Sequence, residues 1–272
     1  MKKIVRILTK FIIYYLIKII NALLKYSIYK VYPPLDNLDK FKFKYSDDTR
    51  RLVIDTKKNQ FDKIYIDSSF YNSELCELGK KYYSNKSAFN FKGHRSGFSG
   101  IYSVLFFHLK SKSIKLAEIG IEKNASTNMW RNYFKKAEIH AFDHDMSKIK
   151  KAKKQYLKRT FYHKLNVNYD NEINKVFKSI KKKFDIIIDD STHIFEDQIR
   201  IINNCHKYLN QGGILIIEDI YKNRKKYDEI NYYNELKKIK NEFQEVIFIE
   251  SSHVNNYTAS WKNEKILFLV KK

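Results

Sequence analysis

Apolar residues recur through the second half of the chain in short continuous runs, separated by stretches with helical spacing. From residue 114 onward the runs predict seven strands: 114–119, 138–142, 161–165, 184–189, 214–218, 245–249 and 265–270. Helical patterns separate the first six strands, at 126–135, 146–158, 171–182, 196–209 and 228–242. This alternation predicts an α/β fold with a Rossmann-like, doubly wound and mostly parallel sheet. The last two strands have no helix between them, which predicts an antiparallel pair at the C-terminal edge of the sheet.

The first 110 residues follow a different pattern. Basic residues of segment 1–34 fall on one arc of a helical wheel that is otherwise apolar, which predicts a basic amphipathic helix that ends at Pro33-Pro34. No apolar run there reaches the roughly 20 residues of a membrane-spanning helix. Residues 1–32 are therefore predicted to lie on an anionic membrane surface, and packing against a protein core is the alternative. Residues 35–110 are predicted to form an N-terminal extension with a helical lid or substrate region, and residues 111–272 to form the core domain.

Composition and charge narrow the class of protein. Of 272 residues, 43% are hydrophobic, which excludes a disordered chain. The two cysteines lie far apart in sequence, so the chain is expected in a reducing, cytoplasmic compartment. The net charge of +23 would attract a polyanion, but only eight of the 53 basic residues are arginine, the residue that best recognises phosphate and guanine. Nucleic acid is thus a less favoured partner that the sequence does not exclude, and a homo-oligomer also stays open.

Acidic side chains follow four of the predicted strands. Glu118 closes the first, Asp143 the second, Asp189-Asp190 the fourth and Glu218-Asp219 the fifth. The carboxyl ends of parallel strands meet at one edge of a sheet, where such folds bind their ligands. Carboxylates that converge there repel one another unless a cation, ribose hydroxyls or protons satisfy them. The pattern therefore predicts a ligand site at this edge.

These motifs also carry a family resemblance. The segments AEIGIEKNASTNMW, FDIIIDDSTHIFEDQI and LNQGGILIIEDI, with ELGKKYYSNKS and HRSGFSGIY upstream, resemble class I S-adenosylmethionine-dependent methyltransferases. Within that class they resemble the metal-dependent sugar O-methyltransferases of macrolide tailoring and the cephalosporin-hydroxylase-like group. The resemblance covers about residues 75–272.

The resemblance implies two ligands and a general base. It implies an S-adenosylmethionine site formed by Glu118, Gly120, Asn124, Ser126, Asp143, Asn166 and Asp189. It also implies a Mg²⁺-like divalent cation held by Asp190, Glu218 and Asp219, with His193 as the general base and Asp190 as its catalytic partner. The family has a glycine pair where this chain has Asn124-Ala125. Asparagine tolerates the left-handed backbone that such a turn requires.

The chemistry agrees with this set of residues. Free imidazole is about nine pKa units less basic than the conjugate base of a sugar hydroxyl, so a histidine needs help from a cation to accept its proton. The resemblance, with which this chemistry agrees, implies O-methylation of a sugar or glycoconjugate hydroxyl. Methylation of RNA, suggested by the positive charge, and a non-catalytic membrane-associated scaffold, suggested by Asn124-Ala125, are the alternatives. Further candidates for the acceptor side are His94, Arg95, Tyr102, His253 and Trp261.

Overall fold

The computed structural model describes residues 52–55, 61–69, 71–257 and 263–272. The predicted amphipathic helix at 1–34, its membrane contact and Trp261 lie outside the described residues. Among the described residues, no helix is long and apolar enough to cross a membrane.

Strands and helices alternate through most of the described chain. The strands are β1 Leu52–Asp55, β2 Asp62–Asp67, β3 Lys115–Ile119, β4 Glu138–Asp143, β5 Thr160–Lys164, β6 Phe184–Asp189, β7 Leu209–Ile220, β8 Phe243–Ser252 and β9 Lys265–Lys271. The α-helices are α1 Glu74–Tyr82, α2 Phe98–Leu105, α3 Ala125–Tyr133, α4 Met146–Lys153, α5 Asp170–Ile180, α6 Phe195–Cys205 and α7 Glu229–Glu235. Each strand and helix predicted from residue 114 onward is present, although α4 and α7 are shorter than their patterns suggested. The 146–158 pattern overran α4 because Tyr156, beyond its end, has a left-handed backbone with φ 51°.

The strands form one sheet in the order β1-β2-β8-β9-β7-β6-β3-β4-β5. Neighbours from β7 through β5 are parallel, while β9 runs antiparallel to both β7 and β8. The predicted Rossmann-like fold and its antiparallel C-terminal pair are therefore confirmed. The chain order reverses at the centre, where β3 lies between β4 and β6. Such a switch point opens a crevice beyond the carboxyl ends of the strands.

The sheet continues beyond the C-terminal pair. β2 pairs in parallel with β8, and β1 pairs with β2 in antiparallel fashion, so β1 forms the outer edge. Both strands lie within residues 35–110, the predicted N-terminal extension. Their short apolar alternation indicates strands but contains no information about which strand they pair with.

Two hydrophobic layers cover the two faces of the sheet. Ile186 and Ile188 of β6 belong to the layer that includes α1, α2 and α3, whereas Ile187 between them belongs to the layer of α5, α6 and α7. Successive side chains of a strand point to opposite faces, so a continuous apolar strand is the expected result of this burial on both sides. Trp130 is fully buried in the first of these layers, as a core residue should be.

Candidate active site

A cavity of about 790 Å³ opens beyond the carboxyl ends of β3, β4, β5 and β6. Of the predicted site residues, Gly120, Ser126, Asp143, Asn166, Asp190 and His193 line it. The opposite wall comes from the segment between α1 and α2, through Tyr83, Asn85, Asn90, Lys92, Gly93 and His94. The structure thus brings together six residues that the sequence selected from five separate segments. The volume lies within the usual range of about 300–1,000 Å³ for small-molecule sites.

At Gly120 the end of β3 packs directly against the end of β6. Its backbone has φ +94°, and a β-carbon at this position would lie 2.0 Å from the carbonyl oxygen of Asp190. The Asp190 amide donates a hydrogen bond to the carbonyl of Ile119 at 2.8 Å. Only glycine allows the end of β3 to approach the end of β6 so closely.

The loop after Gly120 forms its turn without further glycine. Asn124 adopts a left-handed conformation, with φ 65°, immediately before α3. Its side-chain amide donates to Gln155 Oε1 at 2.8 Å and to the Tyr162 hydroxyl oxygen at 2.9 Å. The backbone tolerance expected of Asn124 is therefore observed, whereas its side chain is buried against other residues and does not line the cavity.

Asp143 presents its carboxylate to the cavity. Oδ1 accepts a hydrogen bond from the Asp145 amide at 2.9 Å, and Oδ2 accepts one from the Ile121 amide at 3.3 Å. These amides fix the orientation of the carboxylate and leave lone pairs free to accept further hydrogen bonds. Such a group can bind a pair of vicinal hydroxyls, as the resemblance implied.

Two other predicted residues have structural contacts instead. Glu118 is fully buried, and its oxygens accept hydrogen bonds from Thr127 Oγ1 at 2.6 Å and Trp130 Nε1 at 3.0 Å. It therefore ties α3 to β3, and burial raises its pKa. Asp189 is also buried, and its Oδ1 accepts from the Ser191 amide and hydroxyl. Burial raises the pKa of Asp189 to about 6. Neither side chain lines the cavity.

Asp190, His193 and Asp219 form a cluster of possible metal ligands. One ligand atom of each lies within 4.8 Å of the others. His193 Nε2 is 3.5 Å from Asp219 Oδ2 and 3.9 Å from Asp190 Oδ1. His193 and Asp219 both have left-handed backbones, with φ 58° and 55°. Strain of this kind persists where the surrounding structure imposes it, and it is frequent at functional sites.

Lys86, which the sequence analysis did not select, lies between two of the predicted carboxylates. Its Nζ is 2.5 Å from Asp190 Oδ2 and 2.5 Å from Glu218 Oε2. The other oxygen of Glu218 accepts a hydrogen bond from the Tyr102 hydroxyl at 2.7 Å. Glu218 is thus engaged at both oxygens and does not belong to the cluster of Asp190, His193 and Asp219.

Burial and neighbouring charges shift the protonation of this group. Burial opposes the charge on Lys86, but the carboxylates of Asp190 and Glu218 outweigh it and raise the pKa of the ammonium. Burial, reinforced by the negative charge of Asp190, raises the pKa of Asp219 well above its ordinary value. A cation near Asp219 would favour its ionised form.

The candidates for the acceptor side are placed differently from one another. His94 lines the cavity. Arg95 lies between the rings of Phe91 and Tyr257, 5.1 Å from each centroid, and its Nε donates to the Asn255 carbonyl. Tyr102 and His253 are buried, and neither they nor Arg95 line the cavity.

Comparison with known proteins agrees with this architecture. The family described as "Methyltransferase domain" matches residues 113–266, more than half of the chain. The chain belongs to this family. The matched region begins just before β3 and ends within β9, so it contains the cluster of possible metal ligands and the strand-end wall of the cavity. The opposite wall, from the segment between α1 and α2, lies before it.

Two relatives show how far the similarity extends. A tetracenomycin-C 3'-O-methyltransferase of Streptomyces olivaceus, whose name specifies a 2-methoxy-α-L-rhamnosyl substrate, is 26% identical over 133 residues, 46% of this chain and 32% of the relative. The crystal structure of the MycE methyltransferase from the mycinamycin pathway, in complex with Mg, SAH and mycinamycin VI, superposes with a TM-score of 0.54. The identity is 16%, over 74% of this chain and 55% of that one. The chain therefore spans about a third of the curated relative and about half of the solved structure.

Proposed function

We propose that this chain is an S-adenosylmethionine-dependent O-methyltransferase that acts on a sugar or glycoconjugate hydroxyl with the help of a divalent cation. The observation that carries the proposal is the position of His193, Asp190 and Asp219 in and beside the cavity that Gly120, Asp143 and other predicted cofactor residues line. The name of the Streptomyces olivaceus relative specifies 3'-O-methylation of a rhamnosyl compound, which supports the substrate class. The Mg and SAH in the MycE complex support the cofactors.

The cavity fits the two halves of the cofactor. Gly120 lines the cavity, and Ser126 lies near the N-terminus of α3, where backbone amides attract negative charge. Asp143 would accept the ribose hydroxyls, and Asn166 would lie on the adenine side. S-adenosylmethionine, when bound, supplies a methyl group on a sulfonium leaving group.

The cluster of possible metal ligands fits a hard divalent cation. Asp190 and Asp219 would hold it through carboxylate oxygens, the ligands that Mg²⁺ prefers. The ion supplies positive charge that makes a nearby hydroxyl more acidic. His193 Nε2, directed toward both carboxylates, is then placed to take the proton from that hydroxyl.

A transfer assay tests the proposal directly. With radiolabelled S-adenosylmethionine, Mg²⁺ and a panel of small glycosides, we expect label in at least one glycoside, and about 100-fold or greater loss of the rate in EDTA because the hydroxyl then keeps its ordinary acidity. Restoring Mg²⁺ should restore the rate. Transfer that is unaffected by EDTA would contradict the role of the cation, and transfer only to RNA, with steep loss at higher salt, would contradict the substrate class.

Asp143→Asn tests the cofactor half by itself. The substitution replaces a carboxylate that would accept hydrogen bonds from two ribose hydroxyls. We therefore expect the affinity for S-adenosylmethionine, measured by calorimetry, to fall by about 10–100-fold, or roughly 1.4–3 kcal/mol. Asp145→Asn is the matched control, because it removes the same charge two residues away, and asparagine still caps α4 as Asp145 does. Equal affinity of the Asp143 variant and the wild type would exclude this carboxylate from the cofactor site.

A further inference from the structure

Lys86 is fixed within the site by its own backbone. It belongs to the segment between α1 and α2, and its side chain is only 1% exposed. Its amide donates to Ser84 Oγ at 3.3 Å, and its carbonyl accepts a hydrogen bond from the Ser99 amide at 2.8 Å. The ammonium is therefore a built part of the site rather than the mobile end of a surface side chain.

Lys86 contacts two of the three carboxylates, Asp190 and Glu218. Glu218 has Lys86 on one oxygen and the Tyr102 hydroxyl on the other, and its side chain is 2% exposed. Asp190 is shared, since Oδ2 contacts Lys86 and Oδ1 faces His193. Asp219 lies 3.5 Å from His193 Nε2 and feels the charge of Lys86, but it forms no ion pair or hydrogen bond with the ammonium in the described part of the chain. The ammonium thus occupies the side of the acidic group that faces α2.

Charge accounts for the arrangement. In ionised form the three carboxylates contribute three negative charges, and Lys86 reduces the net charge to minus two, which one divalent cation neutralises. A buried carboxylate without a partner costs several kcal/mol. Without the ammonium, the site would keep a negative charge even with a divalent cation bound.

We propose that Lys86 is a built-in cation of the metal site, which keeps Glu218 and one oxygen of Asp190 away from the ion. Asp190 Oδ1 and Asp219 then hold a single divalent cation, and the neighbouring His193 stays free to act as the base. This inference rests on the proposed metal-assisted function. Lys86 is a positioning residue, since it acts through the carboxylates that it holds.

Lys86→Met tests the inference by calorimetric titration of the full chain with Mn²⁺. Loss of the ammonium releases Glu218 toward the ion, so we expect Mn²⁺ to bind about tenfold or more tightly than to the wild type. In EDTA the variant should unfold at a lower temperature than the wild type, and Mn²⁺ should recover most of that loss by mass action. Lys81→Met is the matched control: it removes an exposed lysine of α1, outside the cavity and five residues before Lys86, and its Mn²⁺ affinity should equal that of the wild type. A Lys86 variant that binds Mn²⁺ no more tightly than the wild type overturns the inference.

The double variant Lys86→Met with Glu218→Gln decides the matter even where the single variant fails to fold. It removes two opposite charges together, which buried pairs often tolerate. If the role of Glu218 is only to pair with Lys86, the Mn²⁺ affinity of the double variant should lie within about threefold of that of the wild type. A larger loss means that Glu218 itself holds the ion, and overturns the inference.

Failure of the proposed function would look different. A wild-type chain that binds no Mn²⁺ at millimolar concentration contradicts the metal-assisted function. If the Lys86→Met variant then binds Mn²⁺, the role of Lys86 is still supported. If the variant also binds no Mn²⁺, that role is overturned as well.

Discussion

Replacement of His193 by alanine lowers the rate of methyl transfer by about 10²–10⁴-fold in our expectation, the usual contribution of a general base. The imidazole Nε2 lies 3.5 Å from Asp219 and 3.9 Å from Asp190, next to the carboxylates that would hold the ion. Binding of S-adenosylmethionine, measured by calorimetry, should change little, because the cofactor residues lie on the other strands of the cavity.

Two further variants separate chemistry from backbone strain. His193 has φ 58°, so alanine there carries a conformational cost that is unrelated to proton transfer. His193→Asn keeps a residue that tolerates this conformation and should lose the rate to the same extent. His108→Ala removes an exposed histidine and should leave the rate unchanged. Transfer at the wild-type rate by the alanine variant would show that His193 is not the base.

Gly120→Ala should be the most destabilising single change at the cavity. The new β-carbon would lie 2.0 Å from the Asp190 carbonyl oxygen, at a backbone φ of +94°. Either the end of β3 or the end of β6 must move, and we expect a loss of roughly 2–4 kcal/mol in the free energy of unfolding, measured by urea denaturation. The same displacement moves Asp190, so transfer by the remaining folded protein should fall as well.

Gly212→Ala provides the control for backbone conformation. Gly212 has φ +70°, but no atom lies within 4 Å of its would-be β-carbon. The substitution should therefore cost only about 1–2 kcal/mol, the price of the left-handed conformation, and leave transfer intact. Equal destabilisation by the two alanines would mean that the contact between Gly120 and Asp190 does not matter.

Much of the architecture was predictable because, in residues 114–270, the spacing of apolar residues clearly distinguishes strands from helices. The positions of the acidic strand ends followed from topology, and the tolerance of Asn124 for a left-handed turn followed from its side chain. The orientation of Glu118 was also within reach, because Glu118 shares a face of β3 with Leu116, which packs in the layer of α3. Because side chains alternate between the two faces of a strand, Glu118 points toward the helix rather than toward the cavity.

Lys86 could not be predicted in the same way. It is one lysine among many, in a polar segment whose pattern resembles a solvated loop. Lys86 is buried because that segment packs near the ends of β6 and β7. The spacing of polar and apolar residues within the segment contains no information about this packing. The pairing of β2 with β8 escaped prediction for a related reason, since the two strands lie far apart in the sequence.

The pairing of β2 with β8 has a consequence for how the protein is made. The hydrogen bond between Ser68 and Ser252 joins residues 184 positions apart. During synthesis β2 is made before the methyltransferase domain, while its partner β8 is added only after most of that domain has been synthesised. Until then an unpaired strand edge is exposed, a state that favours aggregation and chaperone binding. The sheet therefore cannot form segment by segment along the chain, because the free edge of β2 stays unpaired until β8 has been made.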